Sequence, residues 1–240
     1  MLTYGPAPVE EAMLAAQAML AEATGVVGRA SAQRTVGKLL AMQGEIEAAR
    51  EQVTVGNYAQ REAGLVVEAA AGAQLISFVE IRAGALETAE SVLRNGLDEL
   101  ERVGNVSYRG TTALLLADVL ACRGAHDEAA SWCAVVRETM SEDDLTDVIG
   151  VNAIEGFLAT TSGAHAEGER LTTRAIEVAS TTDMYDHKAR AYELRARTLA
   201  LVGKPQEAHE AAATALAIYE AKGDVPASTW ARELLDSLPG

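Results

Sequence analysis

The chain of 240 residues carries 35 acidic and 20 basic side chains, a formal net charge of −15, with a pI near 4.7. Such a field repels phosphate backbones, so direct nucleic-acid binding is excluded over most of the surface. No run of 18 apolar residues is present to span a membrane, and two cysteines do not make a disulfide framework.

The opening Met1-Leu2-Thr3-Tyr4 lacks the basic segment and apolar stretch of a secretory leader, so a cytoplasmic location is expected. From there the chain is punctuated at a fixed step. Gly44, Gly84, Gly124, Gly163 and Gly203 recur at intervals of 40, 40, 39 and 40 residues, and Gly64, Gly104, Asp144, Asp183 and Gly223 interleave at the same step. The gaps read as helices near 9–24, 27–43, 45–63, 65–83, 86–103, 106–123, 126–140, 143–162, 165–181, 185–202, 205–222 and 226–237. Gly64, Gly104 and Gly223 suit left-handed C-terminal caps, and Pro205 suits a first helical turn. Ser141 or Asp143, and Thr182 or Asp183, are the expected N-caps of the helices that follow them. No proline falls inside a predicted helix.

A fixed period of this length marks a repeat protein, in which each unit buries its apolar face only by stacking on the next. Counted from each turn glycine, the residue five later is Ala49, Ala89, Ala129, Gly168 or Ala208, and the residue seven earlier is Gly37, Ser77, Ala117, Gly156 or Ala196. Twelve later stand Gly56, Gly96, Val136, Ala175 and Ala215, so fourteen of these fifteen positions are Gly, Ala or Ser. Small residues at fixed sites on both helices let an antiparallel pair approach closely. Larger apolar residues fill the stripe beside them, nine before the turn (Thr35, Leu75, Leu115, Ile154, Leu194) and five before it (Leu39, Val79, Val119, Leu158, Leu199).

A glycine turn flanked by small residues at these offsets resembles the tetratricopeptide repeat (TPR). HEAT and armadillo repeats share the length, but the chain has no recurrent proline in the first helix of each pair. The expected fold is all-α, a TPR-like superhelix of about 12 antiparallel helices with a repeat of about 40 residues. It forms a single repeat domain over 1–240: an orphan first helix at 9–24, helix pairs at 27–63, 65–103, 106–140, 143–181 and 185–222, and a capping helix at 226–237. The stretch Gly203-Lys204-Pro205-Gln206-Glu207-Ala208, the helix running to Tyr219-Glu220-Ala221-Lys222-Gly223-Asp224 and the closing Trp230-Ala231-Arg232-Glu233-Leu234-Leu235 narrow the resemblance. They look like the C-terminal helical-repeat region of bacterial multidomain regulators: adenylate/guanylate cyclases coupled to an AAA-type ATPase, and LuxR-type and SARP-type transcription regulators. Tyr4-Gly5-Pro6-Ala7-Pro8-Val9-Glu10-Glu11-Ala12 is similar to the start of that region, and Glu167-Gly168-Glu169-Arg170-Leu171 to its interior. The resemblance implies a signal-transduction module that recognises a partner and relays the event to a catalytic or DNA-binding neighbour. Val9-Glu10-Glu11-Ala12 also reads like the second helix of a pair with no first helix before it, as if the array had been cut from a longer chain.

Chemistry is sparse. Gly37-Lys38 fails as a phosphate-binding loop because Ala32 and Leu39 occupy positions that need Gly and Ser or Thr. No HExxH, paired CxxC, EF-hand loop or GxSxG turn occurs, so no enzyme activity, cofactor or metal is expected. His126 and His165 share one repeat slot that holds Ile46, Leu86 and Pro205 elsewhere, which suits an apolar contact better than a ligand set. His187 with Asp183 and Asp186 reads as a helix start, and Cys122 with Cys133 as buried small hydrophobes.

In TPR arrays the first helix of each pair lines the groove. Carrying those positions over gives a concave partner-binding surface of Arg34, Lys38, Gln74, Phe78, Arg82, Asp118, Phe157, Arg190, Glu193 and Arg197, with Leu114 beside them. Both phenylalanines of the chain are in this set. An end built of Arg34, Lys38 and Arg82 is expected to attract an acidic or carboxylate-bearing segment, with Phe78 as an apolar anchor. The expected function is a non-catalytic interaction and regulatory scaffold. Its partner is a protein or peptide segment or neighbouring domains of a parent chain, with no nucleic acid and no membrane. Two alternatives are a solenoid that holds a small molecule in its hollow and a stand-alone adaptor. An uncapped N-terminal end would also allow homo-oligomers.

Overall fold

In a computed structural model that describes residues 3–239, every regular element is an α-helix. α1 (Val9–Glu22) comes first, and antiparallel pairs follow. These are α2 (Gly25–Gln43) with α3 (Ile46–Glu62), α4 and α5 (Val66–Ala70 and Gly72–Arg82) with α6 (Leu86–Arg102), and α7 (Val106–Cys122) with α8 (His126–Thr139). Next come α9 (Leu145–Thr161) with α10 (His165–Ala179) and α11 (Tyr185–Leu201) with α12 (Pro205–Lys222), before α13 (Val225–Ser237). The array is a TPR-like α–α superhelix.

The 40-residue step works through backbone geometry. At Gly44 φ is +84°, a left-handed value that a side chain would oppose. Its N–H reaches the carbonyl of Ala41, and Glu45 N–H reaches that of Leu40, which satisfies the end of α2. All five glycines of that set, and Gly64, Gly104 and Gly223 of the other, share this positive φ. The small positions work through contact. A Cβ added to Gly156 would stand 2.9 Å from the carbonyl oxygen of Gly168, and one added to Gly168 would stand 2.7 Å from that of Gly156. The backbones of α9 and α10 therefore touch where any larger residue would part them.

Local expectations fail at three places. The stretch 65–83 is two helices, α4 and α5, because the chain tightens at Ala71, where Gln74 N–H bonds the Ala71 carbonyl. Gly72 permits the bend by leaving room for Asn57, whose Oδ1 would lie 1.9 Å from an added Cβ. The N-cap of α9 is Asp144, which accepts from Asp147 N–H, rather than Ser141 or Asp143. At the head of α11 the N-cap is Met184 and no side chain caps it; neither Thr182 nor Asp183 does, and the Thr182 hydroxyl accepts from Met184 N–H instead.

The largest departure concerns the ends. The expected uncapped N-terminal face is covered. Val9, Ala12, Met13 and Ala16 of α1 are buried in one cluster with Leu39 and Met42 of α2, Tyr219 of α12, and Ala227 and Ala231 of α13. Lys222 Nζ donates to the carbonyl oxygens of Gly5 and Ala7 at 2.8 and 2.7 Å, and Tyr185 N–H to that of Tyr4 at 3.3 Å. The segment before α1 is thus tied across the last helix pair, and α13 packs on α2. The superhelix turns tightly enough for its first and last helices to meet.

Candidate functional site

Closure encloses a hollow of about 760 Å³ lined mainly by the first helix of each pair. The lining follows the repeat. Counted from each turn glycine, the residues thirteen, ten, nine and six before it form one helix face, at spacings of three, one and three. In α2 these are Ser31, Arg34, Thr35 and Lys38, and in α11 they are Arg190, Glu193, Leu194 and Arg197. The helices between contribute the same four slots, Phe157 of α9 excepted. The slot nine before the turn, which reads as core in the sequence, is therefore the apolar wall of the hollow. The slot five before it is buried in every unit, from Leu39 to Leu199.

Nine of the ten side chains expected on the concave face line this hollow: Arg34, Lys38, Gln74, Phe78, Arg82, Asp118, Arg190, Glu193 and Arg197. Phe157 does not. It packs edge-on against His126, with ring centroids 5.8 Å apart, within the apolar cluster between pairs, so its place in the set is corrected. His126 thereby fills the apolar contact expected of its slot.

Charge in the hollow is organised from one end to the other. Arg82 donates to Asp224 from Nε and Nη2 and to Asp186 at 2.8 Å, while Tyr185 Oη also donates to Asp224. Burial alone would raise the Asp186 carboxyl, but the charges of Arg82, Lys38 and His187 outweigh it and hold the group below its ordinary value. Arg190 grips Asp118 at 2.7 Å and Glu193 at 2.9 Å, and its Nη2 also reaches the Cys122 sulfur. Cys122, expected as a buried hydrophobe, is exposed; its thiol is still raised by desolvation against the pull of Arg190, so it is no ready nucleophile. Cys133, buried on α8, is pushed up to about 12 chiefly by burial.

The corner beside Arg82 is different. Lys38 Nζ lies 3.7 Å from the ring centroid of Tyr4 and 4.5 Å from that of Phe78, and the Arg82 guanidinium lies 4.3 Å from the same Phe78 ring. Arg34 donates to the side-chain oxygen of Gln60, a neutral group. Several lining residues have no counterpart among the expected ones: Tyr4, Asp186, His187, Tyr219 and Trp230. Asp186 and His187 stand in the first turn of α11, ahead of the repeating slots, whereas Tyr4, Tyr219 and Trp230 come from the segment before α1, from α12 and from α13, which reach the hollow where the ends meet. Desolvation holds the His187 imidazole below its usual value, and its Nδ1 has no hydrogen-bond partner among the described residues.

No protein-family model and no curated protein sequence matches the chain. Solved structures do. NprR in complex with its cognate peptide NprX superposes with a TM-score of 0.68 at 12% identity, over 95% of this chain and 65% of that one. The Rap conjugation gene regulator of the plasmid pLS20 in complex with the Phr* peptide gives 0.63 at 18%, over 95% and 65%. The nearly identical TPR-like repeats of a Podosopora anserina putative kinesin light chain give 0.54 at 16%, over 82% and 97%. The likeness is one of fold, and the chain spans 65% of the length of the NprR and Rap structures.

Proposed function

We propose that the protein is a non-catalytic regulatory module that holds a short peptide segment inside its hollow. The observation that carries this reading is the convergence of nine expected groove residues on one half-enclosed space with apolar walls and charged ends. Clefts of 300–1,000 Å³ with a few placed polar groups suit compact ligands rather than folded partners. Two proteins of similar fold, NprR and Rap, were solved with peptides bound, which supports a peptide as the occupant. The resemblance to the repeat regions of bacterial regulators adds a context. The module would belong to a larger cytoplasmic signalling ATPase, cyclase or transcription regulator and pass occupancy on to neighbouring domains. An acidic or carboxylate-bearing partner suits the basic end.

A small molecule is the second reading, favoured by the closure itself. An open groove needs no contact between α13 and α2, whereas a site with convergent polar groups on all sides does.

Selection from a random hexapeptide library separates the readings. The wild type should enrich binders, and Thr35→Phe with Thr146→Phe, two half-buried lining positions, should lose them. Equal enrichment on the blocked variant would place binding elsewhere and sink the proposal.

A further inference from the structure

Three buried or half-buried basic side chains in and around the hollow are matched. Arg82 has Asp224 and Asp186, Arg190 has Asp118 and Glu193, and Lys222 has the carbonyls of Gly5 and Ala7. Lys38 is not matched in this way. It is only 6% exposed, it faces the hollow, and no carboxylate pairs with it among the described residues. Its ammonium rests on the faces of Tyr4 and Phe78, and Asp186, a carboxylate that feels its charge, is already held by Arg82. One turn earlier on the same face of α2, Arg34 donates to the amide of Gln60 and has no ion pair among the described residues, Glu68 acting on it only weakly through its charge. Desolvation lowers the Arg34 pKa, the mark of a guanidinium whose charge the protein leaves under-compensated.

A chain with 35 acidic side chains could have supplied a partner. Two adjacent cations left without one, inside a half-enclosed space, form an anion site waiting for its counterion. The neighbouring wall is apolar: Leu75, Leu115, Ile154 and Leu194 repeat along it at one slot. A free phosphate would leave that wall unused. We propose that Lys38 and Arg34 bind the free C-terminal carboxylate of a short apolar peptide, whose side chains lie along the leucine–isoleucine wall. The inference rests on the peptide reading and names the group that the hollow recognises first. Arg34 supplies a planar fork suited to two carboxylate oxygens, and Lys38 a point charge held in place by its two rings.

The experiment uses the intact protein and two random hexapeptide libraries, both free of Asp and Glu, one with free C-terminal carboxylates and one amidated. Octanoate and inorganic phosphate are titrated alongside. The carboxylate library should be enriched over the amidated one. Lys38→Gln and Arg34→Gln should each weaken the selected peptides about tenfold or more, with Lys38→Arg restoring most of the affinity. Equal enrichment of the amidated library overturns carboxylate recognition while leaving peptide binding intact. Indifference to both glutamine variants, in proteins whose circular dichroism is unchanged, overturns it as well, as does inorganic phosphate binding as tightly as octanoate. If octanoate binds and depends on Lys38 while neither library does, the anion site stands and the peptide reading falls. Silence from every probe overturns both.

Discussion

Arg82 on α5 and Asp224 at the head of α13 are 142 residues apart in sequence, yet Nη2 of one lies 2.8 Å from Oδ2 of the other in a site closed to solvent. Asp224 also accepts from Ala227 N–H and so caps α13, joining the helix start to the far side of the ring. Removing one partner leaves a buried charge unpaired. Arg82→Met should destabilise by about 3–5 kcal/mol in urea unfolding, and adding Asp224→Asn should recover part of the loss. A cost below about 1 kcal/mol would mean that the ends do not hold together through this pair.

The close approach of α9 and α10 gives a second test. A side chain at Gly156 meets the Gly168 carbonyl and the Thr172 methyl, at 2.9 and 2.7 Å from the first added carbon. Because a backbone atom cannot step aside, Gly156→Val should cost at least the 1–3 kcal/mol typical of overpacking. Gly44→Ala offends only through its positive φ, with nothing within 4 Å of the new carbon, and should cost about 1 kcal/mol. If the two variants were equally mild, the small-residue pattern would not be a packing rule.

This contrast shows where the sequence was informative. The glycine step and the small positions repeat, so each unit corroborates the next, and the helix pairs follow from local spacing. The choice of the first helix of each pair came from the TPR resemblance, and nine of the ten residues carried over line the hollow. Phe157 missed because its ring packs on His126 of the preceding pair, a contact between pairs that the repeat spacing does not encode. Closure was illegible for a related reason. It depends on the summed curvature of the stacked pairs, and the residues that exploit it, Tyr4, Trp230 and Asp224, lie outside the regular pairs. The break at Ala71–Gly72 carried a faint signal in its glycine, but an alanine-rich stretch reads as unbroken helix.

Asp147 predicts a pH effect. Buried on α9 with Oδ1 unpaired, it has its pKa raised from 3.8 to about 6 by burial and then by Asp144, against a weaker opposing bond from Thr111. The folded state therefore holds a proton that the unfolded chain has released between these values, and stability falls as pH rises through that window. From pH 4.5 to 7.5 this group should remove about 2 kcal/mol of unfolding free energy. Asp147→Asn should abolish that part of the slope and leave the protein more stable at pH 7.5. An unchanged slope would show that the carboxyl is ionised throughout.

The unmatched Lys38 has its own stability signature. Cation–π contacts return about 2 kcal/mol or less, while a buried ammonium without a counterion costs several. Lys38→Met should therefore raise the thermal midpoint of the free protein by about 2–4 °C, the equivalent of ~1 kcal/mol in a chain of this size. A fall of similar size would mean that the lysine serves packing alone.

If the closed hollow is the working surface, Trp230, which lines it, reports on binding directly. The chain has two tryptophans, so Trp132→Phe leaves Trp230 as the sole tryptophan, excited apart from the tyrosines at the red edge of absorption. Titrating a selected carboxyl-terminated peptide into this variant should shift Trp230 emission saturably, with the same midpoint as binding measured by calorimetry, and the shift should vanish in Thr35→Phe with Thr146→Phe. Calorimetric binding that leaves Trp230 unmoved and survives the blocking substitutions would contradict the account.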